Sequence, residues 1–212
     1  ADRLVVAAAG ALDHDVIVER VGDLFAGVHA SAKPEISNDA RYSGGDYRES
    51  RSLEQVHLVL GLPGVSIPDP DHYAAALFST MLGGGMSSRL FQELREKRGL
   101  VYSVYSFSSS FTDSGIFGVY AGTSAKQVST LVPLVFEEMA SLGAAPRAGE
   151  LDRAKAQLRA SLLMSMESTG ARAEALGQQL LAYGRPLGAD ELVGLIDRVT
   201  EADIARVAQR FL

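Results

Sequence analysis

The sequence predicts an α+β domain in which helices cover an antiparallel or mixed sheet. Three observations lead there. Residues 101–111 and 115–123 are rich in aromatic and β-branched side chains, and Thr112, Asp113, Ser114 and Gly115 form a turn between them, which is the pattern of a β-hairpin. Residues 54–62 alternate, with Val56, Leu58, Leu60 and Leu62 pointing one way. Beyond residue 124 the chain reads only as helices, so strands and helices are segregated along it.

Residues 3–9 form a short apolar run stopped by Gly10, read as a buried strand. A helix over residues 14–28 follows, N-capped by Asp13, with Ile17, Val21, Leu24, Phe25 and Val28 on one face. Residues 30–52 are polar and carry Pro34, Gly44 and Gly45, a long connection. Prolines at 63, 68 and 70 end the strand over 54–62. A helix over 72–82 buries Ala74, Leu77, Phe78 and Met81 and stops at Gly83, Gly84 and Gly85. A second helix runs from Ser87 or Ser88 to Arg98 and ends at Gly99. Gly118 and Gly122 inside the second hairpin strand point to a close backbone approach or a bulge.

Ser124 and Gln127 read as a capping box for a helix to Leu142 that buries Val128, Leu131, Val132, Val135, Phe136 and Met139, with Pro133 kinking it. Helices over 148–168, 171–183, 189–199 and 201–212 complete the chain, the last capped by Thr200 with Asp203. No repeat and no clear linker after residue 52 divides the sequence, so residues 1–212 read as one domain. The chain opens at Ala1 on a strand-like run and closes at Leu212 in a helical turn, which reads as a piece of a longer chain.

Composition bounds the chemistry. Apolar residues at 47% and charged residues at 22% are those of a folded globular protein. A net charge of −6 gives no general attraction to nucleic acid or to an anionic membrane. The absence of cysteine excludes disulfides and thiolate metal sites, and fits a reducing compartment. The apolar run at residues 4–9 is too short for a signal segment or a membrane span.

Self-contained active sites are missing. His14, His29, His57 and His72 have no histidine partner three to five residues away, and neither H-E-x-x-H nor H-x-x-E-H occurs. His57 falls on the strand face opposite the apolar alternates and reads as solvated or locally bonded. No G-x-S-x-G elbow is present, and the serines within 106–110 read as strand residues facing solvent at alternate positions. The glycines at 83–85 lack the following Lys of a phosphate-binding loop and follow a helix, not a strand, so nucleotide binding is disfavoured. Taken singly, Arg95 reads as a solvated cation in a helix end and Tyr102 as a sheet aromatic, although a tight turn at Gly99 permits both to share one rim of the sheet.

Together, the run L-G-G-G-M-S-S-R-L-F at 82–91 and E-L-R-E-K-R-G-L-V-Y at 93–102 closely resembles the C-terminal domain of the pitrilysin/insulinase superfamily of zinc peptidases, in its mitochondrial processing peptidase-like branch. The opening L-V-V-A-A-A-G at 4–10 with Asp13 and His14, and L-G-L-P-G at 60–64, resemble it too, so the likeness covers nearly the whole chain.

The resemblance implies two similar α+β domains facing each other. The N-terminal one holds zinc through H-x-x-E-H. The C-terminal one binds no metal and contributes an Arg and a Tyr, which Arg95 and Tyr102 match. It implies that the Tyr102 phenol donates to the oxyanion of peptide hydrolysis. Arg95 positions the peptide or the Tyr itself. The peptide lies extended, by strand addition, and Gly83, Gly84 and Gly85 make a further, weaker substrate contact. No residue matches the zinc ligands or the catalytic Glu of the family, so zinc is expected in a partner domain or subunit and this chain alone is expected to be inactive. The competing reading is a non-catalytic structural partner subunit of the same superfamily; the intact Arg95 and Tyr102 favour the first. A homodimer stays open. The expected compartment is a bacterial cytoplasm, with a mitochondrial matrix as the alternative.

Overall fold

The computed structural model describes residues 4–28 and 40–212. The expectations for Arg3, His29 and residues 30–39 lie outside them. The chain divides into two units, one from segments 1–38 and 160–192 and the other from segments 39–159 and 193–212.

The larger unit is built on a three-stranded antiparallel sheet in the order β1-β3-β2, comprising β1 (Val56–Pro63), β2 (Val101–Ser110) and β3 (Gly115–Thr123). The hairpin β2–β3 makes β3 the central strand, and β1 adds to its other edge with Val59 opposite Tyr120. Period-two alternation sorts the side chains. Val56, Leu58, Leu60 and Leu62 of β1 and Phe117, Val119 and Ala121 of β3 face the helices. His57, Val59, Tyr105, Phe107, Ile116 and Tyr120 occupy the other face.

Helices α2 (His72–Gly83) and α7 (Glu201–Phe211) pack on the apolar face, and α3 (Val128–Ala144) packs against α7 and α2. The expected stripe Ala74, Leu77, Phe78 and Met81 of α2 is buried. Phe211 of α7 stacks on Phe117 at 4.4 Å between ring centres, and Phe78 meets both edge-on at 5.7 Å. The start of α2 is tied to α7 by charge. Arg206 holds Asp71 and Arg210 bridges Asp69 and Asp71, so α7 closes on its apolar side through phenylalanines and on its rim through ion pairs. The Thr200–Asp203 capping box of α7 is formed.

Two expectations are corrected in this unit. The helix after β3 starts at Val128 with Gln127 at its cap position, and no capping box forms. Instead the Gln127 carboxamide oxygen accepts from Ser124 Oγ at 2.9 Å, a local bond that competes with the backbone cap. Between Phe91 and Lys97 the second helix of the glycine region is a π-helix rather than an α-helix. The long connection expected over residues 30–52 holds no helix or strand across its described part, 40–52, and is tethered: the Ala40 N–H donates to Asp113 at the hairpin turn, and the Tyr42 hydroxyl donates to the Gly61 carbonyl at 2.6 Å.

In the smaller unit, α1 (His14–Phe25) carries its expected Asp13 cap, which accepts from the Asp15 and Val16 N–H groups. Its apolar face, however, reaches only half-burial at Ile17 and Val21, and Leu24 is 79% exposed. Residues 4–9 alternate between exposed and half-buried but form no strand, because no described segment offers a ladder of N–H and C=O groups to pair with. Helix α5 (Thr169–Tyr183) starts from a Ser168 cap and ends at Gly184 in the left-handed region. The remaining helices, α4 (Glu150–Ser165) and α6 (Ala189–Asp197), lie within a few residues of their expected bounds.

Candidate functional site

The expected site residues lie along one continuous stretch: the end of α2, a glycine turn, the π-helix Phe91–Lys97, Gly99 and the start of β2. Each glycine of the turn has a distinct structural cause. Gly83 is buried against the middle of β2, where an added Cβ would fall 2.3 Å from the Ser106 backbone nitrogen. A Cβ on Gly84 would strike the backbone of Thr80, one turn earlier in α2. Gly84 and Gly85 are exposed, and Gly85 adopts a positive φ. Ser88 Oγ donates back to the Gly85 carbonyl at 2.6 Å and Gln157 donates to that of Gly84 at 2.8 Å, which fixes the turn.

Arg89, directly after this turn, was passed over by sequence reasoning and proves to be its anchor. It is 1% exposed and grips Glu150 with two bonds of 2.8 Å, Nε to Oε1 and Nη2 to Oε2. Nη1 reaches Ser141 Oγ at 3.1 Å and Nη2 the Ala145 carbonyl at 3.0 Å. Burial pushes the Glu150 carboxyl up, but its hydrogen bonds from Arg89 and from the Arg147 N–H outweigh this and hold it below the usual range. The chain is thereby pinned, two residues before the π-helix, to the end of α3 and the start of α4.

The charged run that follows separates into paired and unpaired cations. Glu93 is buried and accepts from Lys97 at 2.6 Å, Arg98 at 3.1 Å and Arg147 at 3.2 Å. Those bonds, Lys97's foremost, hold its carboxyl below the ordinary carboxylate range. Nearby Glu138 behaves oppositely, since burial and then the Glu93 charge push it up and its Oε2 has no hydrogen-bond partner. Arg95 takes no part in this network. Its side chain is exposed, forms no ion pair with another described residue, and lies over the Phe91 ring at 4.8 Å.

Gly99 turns the chain from this helix into β2. It sits at φ 60°, a left-handed conformation that glycine adopts without strain. Its N–H donates to the Arg95 carbonyl, and the Leu100 N–H reaches the Leu94 carbonyl at 2.8 Å. Tyr102 then falls on a β-bulge: Val101 pairs with Thr123 and Ser103 with Gly122, leaving Tyr102 as the extra residue. It is 60% exposed and its hydroxyl bonds to no other described residue. The sequence hint at Gly118 and Gly122 is explained here too. The Phe107 ring lies over Gly118, and Gly122 stands opposite the bulge.

The other expectations resolve locally. His57 Nδ1 is 2.7 Å from the Tyr120 hydroxyl, a local bond on the open sheet face. Ser106 turns inward instead of outward, donating to the Ser79 carbonyl at 2.7 Å. Among the described residues no group of three or more His, Cys, Asp or Glu side chains is placed to hold a metal ion, so the residues present here do not fit a zinc site. No helix among them is long and apolar enough to cross a membrane.

Residues 1–158 match the family described as the peptidase M16 inactive domain. Over 99% of its length the chain is 38% identical to an uncharacterized zinc protease of Streptomyces coelicolor, of which it covers 48%. Over its full length it is 33% identical to a probable mitochondrial-processing peptidase subunit beta of Schizosaccharomyces pombe, covering 49% of it. Among solved structures, a peptidase M16 inactive domain from Pseudomonas fluorescens matches 74% of this chain and 38% of that one, at 32% identity and a TM-score of 0.66. The chain belongs to the peptidase M16 family, in its inactive domain. It spans about half the length of the curated relatives it matches.

Proposed function

We propose that this chain is the substrate-binding, transition-state-supporting half of a zinc endopeptidase and completes the site of a zinc-bearing domain, in the same parent chain or in a separate subunit. The observation that carries the reading is the pairing pattern of residues 93–102. Lys97 and Arg98 are consumed by Glu93, whereas among the described residues Arg95 forms no ion pair and rests only on the Phe91 ring, and the bulged Tyr102 is exposed with its hydroxyl unbonded.

In this reading zinc belongs to the partner and supplies activation of the attacking water. Amide hydrolysis gathers negative charge on the carbonyl oxygen, and Tyr102 donates its O–H there. Arg95 holds peptide carbonyls with its planar guanidinium. Gly84 and Gly85 present bare backbone to the peptide, while Gly83 contributes by seating the turn on β2. The compartment we assign is a bacterial cytoplasm; relatives such as that of Streptomyces coelicolor support only its bacterial part, and fractionation of producing cells checks the compartment.

The test is reconstitution. Mixed with a zinc-bearing N-terminal domain, the chain should yield peptide cleavage that neither part shows alone. Tyr102→Phe should lower kcat by about 100-fold or more, the usual loss of one oxyanion donor. Cleavage unchanged by Tyr102→Phe would sink this mechanism. Complex formation without any cleavage would move the chain to the structural-subunit reading, and sedimentation of the chain alone reports whether it self-associates.

A further inference from the structure

The last turn of α4, helix α5 and the start of α6, all within residues 160–192 of the smaller unit, surround a cavity of about 140 Å³. Its lining is mostly apolar. Leu187 and Leu192 are buried there, and Leu162, Met166 and Leu176 are half-buried. Ser165, Arg172 and Gln179 are the polar members, and no Asp or Glu is among them. Ser165 Oγ donates its hydrogen to the Leu162 carbonyl at 2.7 Å. Gln179 Oε1 accepts from the Leu187 N–H at 2.8 Å, which orients the carboxamide and leaves its Nε2 hydrogens as the free end. Neither that nitrogen nor the exposed Arg172 guanidinium bonds to another described residue.

We infer that this cavity binds the C-terminal residue of a peptide, provided that residue carries a side chain of about the size of leucine or phenylalanine. Volume sets the apolar end of the ligand. An apolar cavity of about 150 Å³ holds a benzene ring. The cavity therefore admits one such group, and a long acyl chain exceeds it. The polar set decides the other end. Arg172 and Gln179 Nε2 offer only donors, one of them charged, and the Ser165 hydrogen is already used. The ligand must bring an acceptor with negative charge, which a terminal carboxylate supplies. An ammonium would meet donors and a like charge. The site needs neither zinc nor cleavage and stands apart from the peptidase reading.

The experiment titrates the ¹⁵N-labelled full chain with N-acetyl-Ala-Ala-Leu, with its C-terminal amide, with N-acetyl-Ala-Ala-Gly and with hexanoate, and follows the backbone amide signals. The Leu acid should move signals within residues 160–192 to saturation. Its amide should bind about threefold to tenfold more weakly, the worth of an exposed charge-assisted contact. The Gly acid should bind about tenfold or more weakly, for want of the side chain. Arg172→Gln, at an exposed position, should make acid and amide bind alike. Ala175→Leu, at an exposed position of α5 that lines the cavity, should fill it and abolish binding, with circular dichroism reporting an intact fold for both variants. Absence of saturable shifts, equal affinity for the Leu acid and its amide, or binding that survives Ala175→Leu overturns the site. Hexanoate binding as tightly as the Leu acid overturns the peptide assignment and makes the ligand a free apolar carboxylate.

Discussion

Replacing Arg89 with methionine removes the buried guanidinium and keeps most of its apolar stem, so the loss reports on the charge and its bonds. Four hydrogen bonds go: two to Glu150, one to Ser141 and one to the Ala145 carbonyl. Glu150 keeps the Arg147 N–H at 2.8 Å but is left 7% exposed without its counter-charge. Breaking a buried pair from one side costs about 3–5 kcal/mol, most of it the stranded partner's desolvation. For a chain of 212 residues that amounts to a melting-temperature drop of about 7–11 °C. The sequence has no Trp, so unfolding in urea is followed by far-ultraviolet circular dichroism. Arg89→Met/Glu150→Gln, which neutralises the stranded carboxylate, should recover part of the loss. A single-variant cost under about 1 kcal/mol, or a double variant as weak as the sum of its singles, refutes the claim that this pair pins the glycine turn.

Gly99→Ala should lose about 1–2 kcal/mol, because the left-handed φ of 60° strains any side chain although nothing crowds the site; in the reconstituted peptidase it should also depress cleavage by misplacing Tyr102. Asp69, Asp71, Glu93 and Glu150 all have folded-state values below their ordinary ones, so their stabilising contribution is complete above the unfolded carboxylate range and is lost as pH falls through the depressed values. Urea midpoints should hold steady from neutrality to about pH 5 and fall below about pH 4. Glu138 has the opposite sign: its raised value makes the ionised form a liability at neutral pH, so Glu138→Gln should raise the melting temperature at pH 7 and lose that advantage below about pH 4.

Features governed by local chemistry were legible in the sequence. The central strand occupies residues 115–123 as expected, because β-branched and aromatic residues and a turn bound it. The caps at Asp13 and Thr200 were readable because a cap is complete within four residues. What escaped depends on distant partners. Arg89 has no local mark of burial, since its acceptor lies 61 residues away. The π-helix is set by which backbone bonds close between Phe91 and Lys97, which composition does not encode. Tyr102 was readable as a residue but not as a bulge, because the bulge is a property of its register against β3. Over 4–9, the described part of the strand expected at 3–9, no strand forms for the same reason in reverse: its propensity is sound, but no described segment pairs with it.

The ion pairs of α7 carry a consequence for how this unit assembles. Asp71 and Arg206 are 135 positions apart, and the segment between them includes all of residues 160–192, which belong to the other unit. Loops of that length close late, after hairpins and neighbouring helices have formed. A growing chain therefore carries β1, α2 and the hairpin with Phe78 and Phe117 bare on one side until the final eleven-residue helix arrives to cover them. Loss of that helix would leave a sticky aromatic seam on an otherwise paired sheet. Light scattering of a chain ending at Val199 should show aggregation where the full chain stays dispersed.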